Sequence, residues 1–441
     1  MAMVVKNNMS AISTLNTLNK NSSALAKSLE KVSSGMKING AADDASGYAI
    51  SERMRVQIRG LDQANANTQN GNSMMKVAEG AVSSTVDILK TLKEKVINAA
   101  NDTNTDSDRQ TIQKELDQSI DQIDDNANIT FNGKYLVDGS HNNKVTQTCT
   151  ALTNESMFSA TTGSSGMTAL QNRNGESLNI HCTDNVTVSY VKQGKTFSTT
   201  FQVGSKSLDD VINSVSTAKN GTESGAAVMS LTGTSSFIGL DTSTNSVFTA
   251  DNGNAITLTA SGSGVNNQIS GFTISISDNT GAINKSANAV LDNFNESIRA
   301  QNQSDDNAMV LQVGTKANQA IKVGLTDMRS NALGLKGTDG QTLNVSTQVK
   351  ANAAINVLDN AIQKALDQQT TIGSVESRLN YTSSNLTTAS ENVQASESTI
   401  RDADMAKEMT EYTKNNVLLQ AAQSMLAQAN QSSSSVLSLL Q

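Results

Sequence analysis

The sequence predicts a mainly α protein: a long antiparallel coiled-coil bundle drawn from both chain ends, with a β-rich domain inserted between them. Three observations predict it. Apolar residues hold a heptad register over many turns at each end of the 441 residues. The middle instead alternates apolar and polar residues between Gly, Asn and Asp turns. Proline is absent, where average usage near 5% would give about twenty. Proline breaks helix interiors and isomerises slowly, so its loss suits long helices and a chain that unfolds repeatedly.

The first helix carries Leu15, Leu18, Leu25, Leu29 and Val32 at heptad-like steps, with Ser22 out of place. The second is longer. Leu61, Ala64, Met75, Ala78, Val82, Leu89, Leu92, Val96 and Ala99 keep one register, interrupted by the smaller Thr68, Gly71 and Thr85. At 1.5 Å per residue this helix is roughly 60 Å long. A third helix places Ile112, Leu116, Ile120 and Ile123 on one face and gives way to "ITFNGKYLVDG". Asn-Gly there signals a type I′ hairpin at Asn132-Gly133.

Residues 141 to 340 read differently, being dominated by Thr, Ser, Gly and Asn. "NVTVSYVKQGKTFSTTFQV" is a hairpin pattern around Gln193-Gly194, and "NAITLTASGSG" and "GFTISISDNTGAI" are further strands. "SLDDVINSV" predicts one short helix capped by Ser207. After the insertion, Leu358, Ala365, Ile372, Leu379, Leu386, Val393 and Ile400 stand seven apart, with Ile355 and Ile362 in a partner row. A last helix carries Leu418, Ala422, Met425, Ala429, Val436 and Leu439. Helices so patterned need long partners, and pairing the two chain ends supplies them.

The chemistry available is sparse. The net charge is −8 with no basic block, which argues against nucleic acid or an anionic membrane surface as partner. No stretch reaches the roughly 18 apolar residues of a membrane span. "MAMVVKNNMSAISTL" lacks the apolar core of a secretory signal, so ordinary export rules read the chain as cytosolic. Aromatics are 3% and tryptophan is absent, too few bulky residues to wall a deep pocket. His181-Cys182 has no further ligands at zinc spacing, and no metal or cofactor is expected. Cys149 and Cys182 read as free thiols in preference to a disulfide. No HExxH, Walker A or GxSxG motif occurs. Asp43-Asp44 is the remaining acidic pair that could do chemistry. It follows the Asn39-Gly40 turn and precedes "ASGYAISERM", where a helix resumes. Aspartate there accepts orphan N–H bonds and complements the macrodipole. The structural reading outweighs the catalytic one: these residues belong to a joint, and the chain is not an enzyme.

Long runs at both ends carry a family resemblance. "LEKVSSGMKINGAADDASGYAISERMRVQIRGLDQANANTQNGNSMMKVAEGA" resembles the N-terminal core of bacterial flagellins, and "STIRDADMAKEMTEYTKNNVLLQAAQSMLAQANQ" with "VLSLLQ" resembles the C-terminal core. "IKVGLTDMRSNALGL" resembles a segment that often precedes the C-terminal helices. Serines 432 to 435 depart from relatives that carry Pro-Gln there. The resemblance implies a filament subunit with inner-tube helices at 1–43 and 401–441. Outer-tube segments are then 44–145 and 305–400, and the variable surface domain is 146–304. Leu15, Leu18, Leu25, Leu29 and Val32, with Leu418, Ala422, Met425, Ala429, Val436 and Leu439, become polymerisation seams. Asn39, Gly40, Asp43 and Asp44 become the link between tubes.

The resemblance also revises the localisation to an extracellular filament reached by unfolded export through the flagellar type III apparatus. The implied partners are the chain itself, an export chaperone, and cap and junction proteins. A hook–filament junction protein with similar terminal coils is the alternative. Flagellins sensed by Toll-like receptor 5 carry an Arg, a Leu four residues on, and a Glu on the next helix. Matched to "ILKTLKEKVINAAND" and "IQKEL", these fall on Thr91, Lys95 and Glu115, which implies a weakened receptor patch.

Overall fold

A computed structural model describes residues 8–220, 223–224 and 229–439. Its helices are α1 (Met9–Ser34), α2 (Ala45–Ala100), α3 (Asp106–Ala127), α4 (Leu208–Asn213), α5 (Lys285–Leu291), α6 (Gln348–Arg401) and α7 (Met405–Leu439). Helical ends around a middle of antiparallel sheets bear out the fold class. The chain divides into two units. One runs to Thr68, takes in Gln312–Gln319 and resumes from Tyr381; the other holds Gln69–Leu311 and Ala320–Asn380.

In the first unit α1 and α7 lie antiparallel. Cross-links fall in reverse order, from Asn8 Nδ2 to the Ala429 carbonyl (3.3 Å) through Asn21 Nδ2 to the Leu418 carbonyl (3.2 Å) to the Lys31–Glu408 ion pair (3.8 Å). The start of α2 packs on the end of α6 through Leu61, Ala64 and Leu386. Ser383 Oγ donates to Asn65 Oδ1 (2.7 Å) and Ser390 Oγ to Asp62 Oδ1 (3.0 Å).

In the second unit the heptad residues of α2 from Met75 to Ala99 are buried, as are Leu358, Ala365, Ile372 and Leu379 of α6. Thr68, the last α2 residue of the first unit, and Thr85 in this one are both buried. Each hydroxyl donates to the carbonyl one turn earlier, Ala64 (2.8 Å) and Ala81 (3.0 Å) respectively, so a threonine fits a seam without an unpaired polar group. Helix α3 buries Leu116, Ile120 and Ile123. It starts with a Thr105–Asp108 capping box, which satisfies two orphan donors at once. The hairpin β1 (Thr130–Phe131) and β2 (Lys134–Tyr135) turns through Asn132 and Gly133, both at positive φ.

The insertion contains β3 (Cys149–Asn154), β4 (Asn185–Lys192), β5 (Lys195–Gln202), β6 (Lys219–Asn220), β7 (Glu223–Ser224), β8 (Met229–Ser235), β9 (Phe237–Leu240), β10 (Ser246–Phe248), β11 (Ala255–Ser263), β12 (Ile269–Ser277) and β13 (Asn295–Ile298). A four-stranded sheet runs β13-β3-β11-β8 and a five-stranded one β12-β4-β5-β6-β7. Their alternating residues, among them Leu152, Val188, Tyr190, Leu258, Phe272 and Ile274, share one core. The β4–β5 turn is Gln193-Gly194 at φ 51° and 73°, the geometry a two-residue hairpin demands. Ser207 caps α4 in a capping box with Asp210.

Strand β12 ends its sheet, and an uncovered edge offers unpaired carbonyls. Helix α6 covers it. Asn356 Nδ2 donates to the Phe272 carbonyl (3.2 Å) and Asn360 Nδ2 to that of Ser270 (2.9 Å). Gly271, at the β12 bulge, lets the helix approach: a Cβ there stands 2.8 Å from Val357 Cγ2.

Candidate assembly interface and helix joint

The paired terminal helices present two distinct faces. On α1 the less exposed positions are Ala11, Leu18, Leu25 and Val32 in one heptad row and Thr14, Asn21 and Ser28 in the next. On α7 they are Tyr412, Leu419 and Leu426 beside Asn415, Ala422 and Ala429. About a third of this seam is polar (Thr14, Asn21, Ser28 and Asn415) and is joined by specific bonds, Asn21 to the Leu418 carbonyl and Asn415 Nδ2 to Ser28 Oγ (2.9 Å). A polar residue in a seam sets register at a cost in stability.

The residues taken from sequence as one seam therefore divide. Leu18, Leu25, Val32, Ala422 and Ala429 face the partner helix. Leu15 (45%), Leu29 (52%), Leu418 (42%) and Met425 (62%) are exposed. They are joined outside by Met9, Ile12, Met405, Met409 and Val417. Val436 and Leu439 continue the α7 row in sequence, but their side chains lie outside the described residues. Leu15 and Leu29 sit about 60° around the helix from Leu18 and Val32, and the hydrogen-bonding row of Asn21 and Ser28 takes the place beside the apolar row. On α7, Leu419 and Leu426 pack where Leu418 and Met425 were expected.

At the other end of the pair a compact joint turns the chain from α1 into α2. Asp43 closes it, its Oδ2 accepting the Asn39 N–H (3.1 Å) and the Gly40 N–H (3.4 Å). Asp44 Oδ1 accepts the N–H groups of Ser46 and Gly47 (3.0 Å each), which makes it the N-cap of α2. Gly47 leaves room for this turn: a Cβ there would meet Asp44 Oδ2 at 2.6 Å and buried Ile38 at 2.7 Å, and both side chains would have to move.

The sequence reading missed the clasp that ties this turn to the α6–α7 break. Arg401 is 7% exposed. It donates through Nη1 to Glu52 Oε1 (2.7 Å), places Nε 3.0 Å from Met36 Sδ, and lies 5.8 Å from the Tyr48 ring centre. Backbone bonds from Lys37 N to the Arg401 carbonyl (2.7 Å) and from Ala403 N to that of Gly35 (3.0 Å) close it. The Arg401 guanidinium, aided by Arg55, holds the Glu52 carboxyl below its ordinary range. The only sequence signal was an arginine at a helix break, with its partner 349 positions away.

The three residues matched to the receptor motif come together on α2 and α3. Lys95 Nζ pairs with Glu115 Oε1 at 3.1 Å, and the Thr91 hydroxyl bonds back to the Asp87 carbonyl (3.0 Å). Cys149 and Cys182 are free thiols. Among the described residues no group of His, Cys, Asp and Glu could hold a metal, and no helix is long and apolar enough to cross a membrane.

A helical pair with a partly polar internal seam and apolar residues turned outward defines a class, the coiled-coil subunits of a helical assembly. The comparisons name it. Residues 5–142 match the bacterial flagellin N-terminal helical region and residues 355–440 the bacterial flagellin C-terminal helical region. A flagellin of Clostridium tyrobutyricum is 35% identical over 97% of this chain and 99% of its own. A flagellin of Bacillus subtilis is 30% identical over 99% of this chain and 100% of its own. The chain belongs to the bacterial flagellin family: it is a structural subunit that assembles with its own copies into the extracellular flagellar filament, not an enzyme. The solved hook-associated protein-3 of Legionella pneumophila covers 78% of this chain and 97% of its own at 14% identity and a TM-score of 0.33, which carries no argument for a junction role.

Proposed function

We propose that the outward apolar rows of α1 and α7 are the surfaces through which one subunit joins the next, while the partly polar seam between them fixes their register. The observation that carries this is the exposure of Leu15, Leu29, Leu418 and Met425 on helices whose own contacts are made by other residues. Burying an aliphatic side chain stabilises by about 1.5–3 kcal/mol when complete, and assembly recovers the part the monomer leaves unused. In this reading 1–43 and 401–441 form the inner tube, 44–145 with 305–400 the outer tube, and 146–304 the surface domain. Asn39, Gly40, Asp43 and Asp44 link the tubes. Deleting residues 432–441 tests it: the truncated chain stays soluble and no longer grows filaments from seeds. Growth at the full-length rate refutes it.

The subunit leaves the cell unfolded through the flagellar type III apparatus, met first by an export chaperone and later by cap and junction proteins. A proline-free chain with few aromatics supports that route. Toll-like receptor 5 is a weak partner in this reading. Thr91 lacks the bidentate donors of an arginine, and Lys95 brings an ammonium to an apolar contact and occupies Glu115 through its ion pair. Losing such hot spots costs roughly 2–4 kcal/mol, about 30- to 1000-fold in affinity. A reporter-cell titration beside a Thr91→Arg, Lys95→Leu double mutant tests this. The double mutant gains potency; a wild type as potent as motif-bearing flagellins, with no gain on mutation, contradicts it.

A further inference from the structure

Where the insertion leaves and rejoins the helical part, its two stalks bridge at Val145–Ser304 and Thr148–Gln301. Beside that crossing lies a cavity of about 200 Å³. Its lining is mixed: Asn142, Gln301, Asp327, Arg329 and Lys364 stand around it with apolar Val265 and Ala332. Lys364, from α6, is 6% exposed. Its ammonium donates to the Ala332 carbonyl at 2.7 Å. Of the neighbouring acids, Glu296 (3.3 Å) and Asp367 (2.8 Å) pair with Arg299 and Asp327 (2.7 Å) with Arg329, while Glu296 Oε1 stays buried without a hydrogen-bond partner and its charge also acts on Lys364. A buried ammonium with one carbonyl acceptor keeps two N–H donors unspent, and the charge of Glu296 offsets part of its burial.

We propose that this cavity is a binding site for a compact oxyanion, a carboxylate or inorganic phosphate, held by the Lys364 ammonium with Arg329 at its rim. Arg329, which also lines the cavity, spends its Nε and Nη2 on Asp327 and keeps Nη1 for a ligand. Asn142 supplies adaptable polarity. Its buried Oδ1 has no hydrogen-bond partner, and turning the amide over offers N–H groups to an anion instead. The lining lacks aromatic side chains, which disfavours a flat apolar ligand. Burial pushes the Lys364 amine down to about 8 against the opposing pull of Glu296, and a bound oxyanion raises it again.

The test is calorimetric titration of the monomeric full-length chain with inorganic phosphate and, separately, with acetate, at ionic strength held constant with chloride. The inference expects saturable binding of at least one anion at one site per chain, and the stronger binder identifies the source. Lys364→Met lowers that affinity by at least about thirtyfold, the usual loss when one partner of a buried charge pair is removed. Arg329→Gln, at a side chain 51% exposed and so safe for folding, weakens binding several-fold. Absence of binding beyond chloride overturns the inference, as does unchanged affinity in Arg329→Gln or in a folded Lys364→Met.

Discussion

Gly271→Ala tests how the inserted domain is held. The new methyl carbon meets Val357 Cγ2 at 2.8 Å, the Val357 backbone nitrogen at 3.1 Å and the Ala353 carbonyl at 3.3 Å. Val357 is fully buried and branched, so it cannot swing away, and the other two contacts are backbone. Ordinary contact begins near 3.4 Å, and α6 must retreat by roughly half an ångström. That retreat stretches the Asn360–Ser270 bond from 2.9 Å and the Asn356–Phe272 bond from 3.2 Å beyond useful range. Overpacking costs about 1–3 kcal/mol and each lost amide bond about 1 kcal/mol. The sum is about 3–5 kcal/mol against the attachment of the sheet edge. Hydrogen exchange read by mass spectrometry should show faster exchange in 269–277 and 353–364, with 75–99 of α2 unchanged. Wild-type exchange in both segments would refute the account of the covered edge.

Three further outcomes follow from the geometry. Asp44→Ala removes the acceptor for two N–H groups and should cost about 1 kcal/mol, seen as fraying confined to the first turn of α2. Gly47→Val should disrupt the joint more, because its branched side chain displaces both the Asp44 carboxylate that caps α2 and buried Ile38; equal stability of the two variants would contradict this. Glu296, beside Arg299 and near Lys364, is pushed up to about 7 by burial, which outweighs both cations. A raised carboxyl contributes stability that is full below its unfolded value and lost as pH rises through about 7. Glu296→Gln should therefore flatten the fall in thermal stability between pH 5 and pH 8, and an unaltered slope would count against it.

The long helices α2 and α6 were legible because apolar residues recur at heptad spacing and most of them are buried, although Val393 and Ile400 are only half-buried. The hairpin turns were legible because Asn-Gly and Gln-Gly accept positive φ. On α7 the sequence offers two adjacent rows, Leu418 with Met425 and Leu419 with Leu426, and periodicity alone cannot choose between them. The choice is made by Asn21, Ser28 and Asn415, polar residues that a hydrophobic pattern treats as gaps. The same blindness hid the α6 contact. Asn356, Asn360 and Lys364 recur every four residues and read as a solvated stripe, yet they bond a sheet edge and a buried carbonyl. Arg401 and Glu52 meet across 349 positions, where no local signal reaches.

The most direct measurement is seeded filament growth by subunits altered on one face at a time. Leu29→Ser with Met425→Ser removes outward apolar surface, and the account predicts that elongation stops while the monomer's helical circular dichroism is unchanged. Leu25→Ser with Leu426→Ser should instead loosen the α1–α7 pair itself and lower the monomer's helicity. Filaments growing at the wild-type rate from the Leu29→Ser, Met425→Ser subunit would contradict the central claim.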